Sequence, residues 1–183
     1  MDRSDVFVFY SKSADRLPGK GSGESLESND HIKYRELSMI PDWRKMLSNF
    51  YLSTFELDGL MWASVEHYYQ GSKFKNENPS FYRQFSLSCP GILSSDPVVA
   101  KGAGGKTGKV DGKQFRPKNI HADSDFFTGR DVIEMHKAQD VKFKIPLMSK
   151  VLKLTSGADL IHFVGRNAGH VRCQHLMDIR DKL

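Results

Sequence analysis

Cysteine is almost absent from this chain: Cys89 and Cys173 are the only two among 183 residues. They form no paired motif, so neither a disulfide framework nor a thiolate metal site is expected, and a reducing cytoplasm is the expected compartment. Long apolar runs are missing too. No stretch approaches the ~18 apolar residues of a membrane-spanning helix, and the opening MDRSDVFVFY lacks the apolar centre of a secretory signal. The seven histidines include no H-E-x-x-H pattern, and His170 and His175 are not spaced as a helical pair, so no metal is expected. G-x-S-x-G is absent, which removes the nucleophile elbow of a serine hydrolase. A 39% hydrophobic share with a mean hydropathy of −0.48 places the chain in the soluble globular class. Its length is that of one domain with a real core.

Positive charge is present and concentrated. Lys101, Lys106, Lys109, Lys113, Arg116 and Lys118 stand against the single acid Asp111, so this segment carries the whole formal excess of +5. The glycine-rich basic loop over 101–119 points to an anionic ligand such as phosphate, pyrophosphate or nucleic acid, with a solvated loop as the plain alternative. AKGAGGKTGK contains Gly-Lys-Thr, but Ala100 stands where a phosphate loop needs its first glycine, and no helix is expected to follow. A looser anion contact through the Gly104 and Gly105 amides with Lys106 stays open.

Local patterns predict an α+β domain, mainly helical around a small β-sheet, without internal repeats. Val6–Tyr10 reads as a buried strand and Gly19–Asp30 as a mobile loop. Phe55–Leu57 and Leu60–Trp62 flank Asp58-Gly59, a hairpin turn signal. Ser64 is placed to cap a helix over Val65–Phe74, and Pro79–Phe85 reads as another. Ser94–Pro97 reads as a helix start, with the segment from Lys101 too rich in glycine for regular structure. Asp131–Ile145 is a helix stopped by Pro146, which opens the next one with Leu147, Val151 and Leu154 on one face. Ala158–Val164 is a strand or short helix, and Val171–Leu183 closes with Leu176, Ile179 and Leu183 at helical spacing.

Two constellations carry chemistry. Glu66, Gln70 and Lys73 lie four and three residues apart and share a helix face. Held against Trp62 and Tyr69, the Glu66 carboxylate would lose hydration and its pKa would rise toward that of a general acid; the alternative is a solvent-exposed polar face over an aromatic core. On the Asp131–Ile145 helix, Val132, Met135, Ala138 and Ile145 form an apolar arc at about 100° per residue, and Lys142 falls inside it. Such a lysine snorkels to the rim, pairs with a carboxylate such as Glu66, or becomes a neutral nucleophilic amine.

The run Ser48-Asn49-Phe50, Asp58-Gly59, Trp62, Ser64 to Gln70 (SVEHYYQ) and Lys73-Phe74 resembles the YbiA-like, or NADAR, family, whose hallmark reads S-N-F, D-G-x-x-W, E-H-Y-x-Q and K-F. Pro97–Lys106, Ala138–Phe143 and Leu152–Leu160 are similar to later family segments. Before Ser48 only Phe9–Ser11 fits. Where many relatives carry W-G-D-G, Phe163–His170 reads FVGRNAGH, so Arg166 and His170 replace an acidic contact.

The resemblance implies an N-glycosidase acting on a ribose–base bond without a cofactor. The leading substrate is ADP-ribosylated guanine in nucleic acid, with ADP-ribose as product. The alternatives are a phosphoribosylamino-pyrimidine of riboflavin synthesis and a non-catalytic ADP-ribose or NAD reader. By resemblance, Glu66 moves protons and Lys142, with Lys73 second, supplies a Schiff-base amine. Asn49 and Gln70 orient the ribose hydroxyls, Phe50 also belongs to the substrate-binding set, Trp62 and Tyr69 stack, and Lys106 and Arg166 meet phosphate.

Overall fold

Alternating aromatic and β-branched side chains make DVFVF a strand, and β1 (Asp5–Phe9) buries Phe7 and Phe9. The structure is a computed structural model that describes residues 5–27, 32–165 and 169–183. It divides into two compact units, one of Met1–Tyr51 with Phe143–Leu183 and one of Leu52–Lys142.

In the first unit β1 runs parallel to β6 (Ala158–Gly165), with Phe7 opposite Leu160, and β7 (Gly169–Arg172) pairs antiparallel on the other side of β6. Ala158–Val164 is therefore strand and not helix, because β6 is the central strand with a partner on each side. Val171 belongs to β7, so the closing helix α9 spans only Gln174–Arg180; it buries Leu176 and Ile179, while Leu183 is exposed. The short helices α1 (Arg35–Ser38) and α2 (Trp43–Leu47) supply Leu37, Trp43 and Leu47 to the core. Pro146 does open α8 (Pro146–Leu154), but its buried side is Met148, Val151 and Leu152, with Leu147 exposed.

The Gly19–Asp30 segment departs from a simple loop. Residues 28–30 lie outside the described residues, but up to Glu27 the segment is tied down. Ser25 bridges Val6, and the Glu24 carboxylate accepts from the amides of Val8, Gly19 and Gly21. Arg44 closes on the same carboxylate at 2.7 Å with both side chains buried, and its ring-stacked guanidinium lies 4.2 Å from the Trp43 ring centroid. A charged pair survives burial because each guanidinium nitrogen and each carboxylate oxygen has a hydrogen-bond partner.

The second unit starts with the expected hairpin, β2 (Phe55–Leu57) and β3 (Leu60–Trp62). Asp58 and Gly59 take φ of 53° and 71°, the left-handed pair that a two-residue turn demands. Helices α3 (Val65–Ser72), α4 (Pro79–Arg83) and α5 (Ile92–Ser95) follow. The glycine-rich segment is more regular than its composition suggests. Asp96 accepts from the amides of Val98 and Val99, Pro97 fills the first turn, and α6 (Pro97–Gly104) runs through Lys101 before a small hairpin, β4 (Lys109–Val110) and β5 (Lys113–Gln114). A π-type turn over Phe126–Arg130 leads into α7 (Asp131–Lys142).

Replacing Glu24 by alanine leaves the Arg44 guanidinium buried with only carbonyls for partners. The variant should lose about 3 kcal/mol of unfolding free energy; an unchanged urea midpoint would show that the pair does not hold this segment.

Candidate active site

Helix α3 begins where the Ser64 hydroxyl accepts from the His67 amide at 3.4 Å and meets His67 Nδ1 at 2.8 Å. The cap sets the register, and Glu66, Gln70 and Lys73 come out on one side. The solvent-exposed alternative is overturned: they are 5%, 5% and 7% exposed. Gln70 Nε2 donates to Glu66 Oε1 at 2.8 Å. Burial pushes the Glu66 pKa above the ordinary carboxylate range, against the opposing pull of Gln70, Lys101 and Lys73. A place in the first turn of a helix favours the anion, and burial outweighs it here.

Lys73 sits at the end of α3, and its ammonium donates to the Gly104 carbonyl at 2.9 Å. It lies 5.2 Å from the Tyr69 ring centroid and 5.7 Å from that of Phe127. Burial pushes its pKa down to about 8; the Glu66 charge resists this, and Arg116 and Lys101 reinforce it. The contact needs glycine at 104, because a Cβ there would run into Gln70, with the Gln70 Cβ only 2.9 Å away. Glu66 and Lys73 thus form an acid with raised proton affinity beside an amine with lowered affinity.

The other expected residues fall in different places. Tyr69 is half-buried, its ring 5.6 Å from Phe126, and burial raises its pKa. Trp62 is fully buried, its indole N–H donating to the Leu57 carbonyl and its ring packed on Tyr68 and Tyr82. That corrects its role as a stacking platform: the surrounding aromatic cluster takes its faces. Asn49 and Phe50 form the turn after α2, half-buried, in the first unit. Lys106 is exposed, and Arg166 lies outside the described residues. The looser anion contact is also corrected. The Gly105 amide donates to Gly102, and this is the C-terminal, electronegative end of α6, where Arg116 satisfies the carbonyls of Ala103, Gly105 and Lys106.

Lys142 is fully buried at the end of α7, so it does not snorkel. The buried stripe of α7 is Glu134, Ala138 and Lys142, while Val132 is exposed. Desolvation pushes Lys142 down to about 7. Glu134 explains much of this stripe. Its carboxylate lies 2.5 Å from the Tyr68 hydroxyl, which also reaches Asp58 at 2.7 Å, and Lys75 binds Asp58 at 2.5 Å. This cluster joins α3, α7 and the hairpin turn.

Sequence reasoning missed Phe127 and Glu134, and it placed Arg116 only among the cations of the basic segment, not on the carbonyls at the end of α6. Phe127 is 65% exposed beside the Lys73 ammonium, an open aromatic face that no periodic pattern could reveal because it lies in the π-type turn.

No protein-family model and no curated protein matches the chain. In fold it is similar to the NMR structure of the E. coli protein YbiA, with a TM-score of 0.57 over all of this chain and 86% of that one, at 18% identity. The likeness is one of fold, and it bears out the mixed α and β architecture and a YbiA-like fold.

The buried amines have a thermodynamic signature. Between about 7 and its ordinary 10.5, the unfolded Lys142 binds a proton that the folded one lacks, so stability rises with pH across that window, by at most ~1.4 kcal/mol per pH unit. Lys142→Met should be more stable than the parent at pH 7 and show a shallower rise toward pH 10 in urea unfolding. An unaltered slope would mean that Lys142 keeps its proton when buried.

Proposed function

We propose that the second unit carries an N-glycosidase site that hydrolyses a ribose–base bond and releases ADP-ribose from ADP-ribosylated guanine in nucleic acid. The observation that carries the proposal is the buried, electrostatically coupled pair of Glu66 and Lys73 on α3. The YbiA-like fold and the E-H-Y-x-Q run support the same reaction class.

In this reading the neutral amine of Lys142 attacks the anomeric carbon. The carbon–nitrogen bond to the base breaks as Glu66 gives its proton to the leaving nitrogen. The carboxylate of Glu66 takes the proton that the newly attached lysine nitrogen sheds and passes it to the ring oxygen, which opens the sugar to an iminium on the lysine. Water adds to that carbon, the amine leaves, and ADP-ribose is released with Glu66 reprotonated. Gln70 holds the Glu66 carboxyl in place at 2.8 Å, and the Tyr69 and Phe127 rings supply aromatic surface for the base. The coupling of Lys73 to Glu66 favours a second assignment, with Lys73 as the amine and Lys142 as a buried support.

Glu66→Gln should lower release of ADP-ribose from modified guanine DNA by about 10²- to 10⁴-fold while leaving ADP-ribose binding nearly intact; turnover close to the parent's would remove the acid role. Borohydride added during turnover should trap the sugar on the Lys142 peptide. A trapped Lys73 peptide selects the second assignment, and no adduct on either excludes the covalent route.

The exposed cations of the basic segment suit a polyanionic substrate. Lys106, Lys109 and Lys118 are the ones to change, since Lys101 acts on Glu66 and Arg116 braces α6. Their joint replacement by alanine should weaken DNA binding and flatten the slope of log K against log salt by roughly two to three. An unchanged slope would assign these lysines no phosphate contact.

A further inference from the structure

The first unit contains a cavity of about 310 Å³ walled by Tyr10, Ser13, Arg16, Lys20, Ser22 and Arg44, with no carboxylate among the described residues that line it. Apart from Tyr10, it lies in the stretch before Ser48 that the family motifs do not reach. We propose that this cavity is a binding site for a small phosphomonoester, separate from the glycosidase chemistry proposed for the second unit.

The charge arrangement carries the proposal. Glu24 is occupied: it accepts from three backbone amides and from Nε and Nη2 of Arg44. Arg44 in turn donates to the carbonyls of Arg16 and Leu17 at 2.5 and 2.9 Å, so the wall segment is folded around that neutralised pair. Arg16 and Lys20 remain, both exposed and in no ion pair among the described residues, and they leave the cavity with two uncompensated positive charges. Two charges match a phosphomonoester dianion, and a guanidinium engages phosphate oxygens in a planar fork.

Hydroxyls complete the lining. The Ser13 oxygen accepts from the Tyr10 amide at 2.9 Å, which leaves its own proton to donate into the cavity. Ser22 and the Tyr10 phenol add two more donors, while Val8 and Ala14 offer apolar wall to a sugar or ring. The volume lies at the low end of small-molecule sites, roughly 300–1,000 Å³. It suits a sugar phosphate and not a nucleic acid strand.

Calorimetric titration of the full chain with ribose 5-phosphate and with inorganic phosphate, at ionic strength held constant with sodium chloride, tests this. Both should bind, the sugar phosphate more tightly. Arg16→Ala combined with Lys20→Ala should weaken both by at least about tenfold, and alanines at Lys106, Lys109 and Lys118 should leave both unchanged. Because Arg16 and Lys20 are exposed, the double variant should keep its thermal unfolding midpoint without ligand. Absence of binding to the parent chain overturns the proposal. So does a double variant that binds as well as the parent, or a loss that follows the three loop lysines instead.

Discussion

One hydrogen bond organises the second unit: the Lys73 ammonium on the Gly104 carbonyl. It joins the C-terminal ends of α3 and α6, and the fit requires that Gly104 carry no side chain, since Gln70 fills the space. Arg116 reaches the same helix end from the far side of the basic hairpin and binds three more carbonyls. Two cations on one helix C-terminus are favoured by its dipole, yet they repel each other, and Arg116 helps to depress the Lys73 pKa. The contact that fixes the position of Lys73 therefore also helps to make it a weaker base. Glu66, one turn and more upstream, works in the opposite sense on Lys73 and is itself kept buried by the same packing.

Charge is buried in two different ways in this chain. Arg44 and Glu24 form a pair in which each nitrogen and each carboxylate oxygen has a partner, and the result is a folded wall. Glu66, Lys73 and Lys142 are buried with their proton affinities displaced toward neutrality. A fold gains nothing in stability from such displaced groups, since apolar residues of similar size would fill the same space without a desolvation cost. Their concentration on α3 and on the helix α7 that packs against it is what supports the proposed active site.

Local signals in the sequence were legible wherever one short-range rule dominates. The Asp58-Gly59 turn, the Ser64 cap and the Pro146 helix start all follow from backbone geometry within four residues. The shared face of Glu66, Gln70 and Lys73 and the place of Lys142 on the packed side of its helix were legible from helical spacing, but their burial was not. Tertiary contacts were not. Trp62 looked like a platform because nothing local shows that Tyr68 and Tyr82 take its faces. Lys101–Gly104 looked irregular because glycine content outweighed the Asp96 cap and because the need for Gly104 lies in a side chain of another helix. Val132 and Leu147 sat on predicted apolar faces yet are exposed, since α7 turns Glu134 inward to meet Tyr68 and α8 turns Met148 inward.

The motif that gave the resemblance separates into two sets of residues once contacts are known. Asp58, Trp62 and Tyr68 belong to the clamp that fastens the hairpin and α3 to Glu134 of α7. They specify the fold. Glu66, Gln70 and Lys73 make no part of that clamp; they face Gly104 and one another from the other side of the helix. Only this second set argues for chemistry. Two adjacent tyrosines show the division within a single turn. Tyr68 is sealed between two carboxylates, while Tyr69, one residue on, stays half-open beside the Lys73 ammonium. A chain that kept only the clamp would fold in the same way with no reason to bury an acid and an amine together. This chain keeps both sets, and the proposed active site rests on the second.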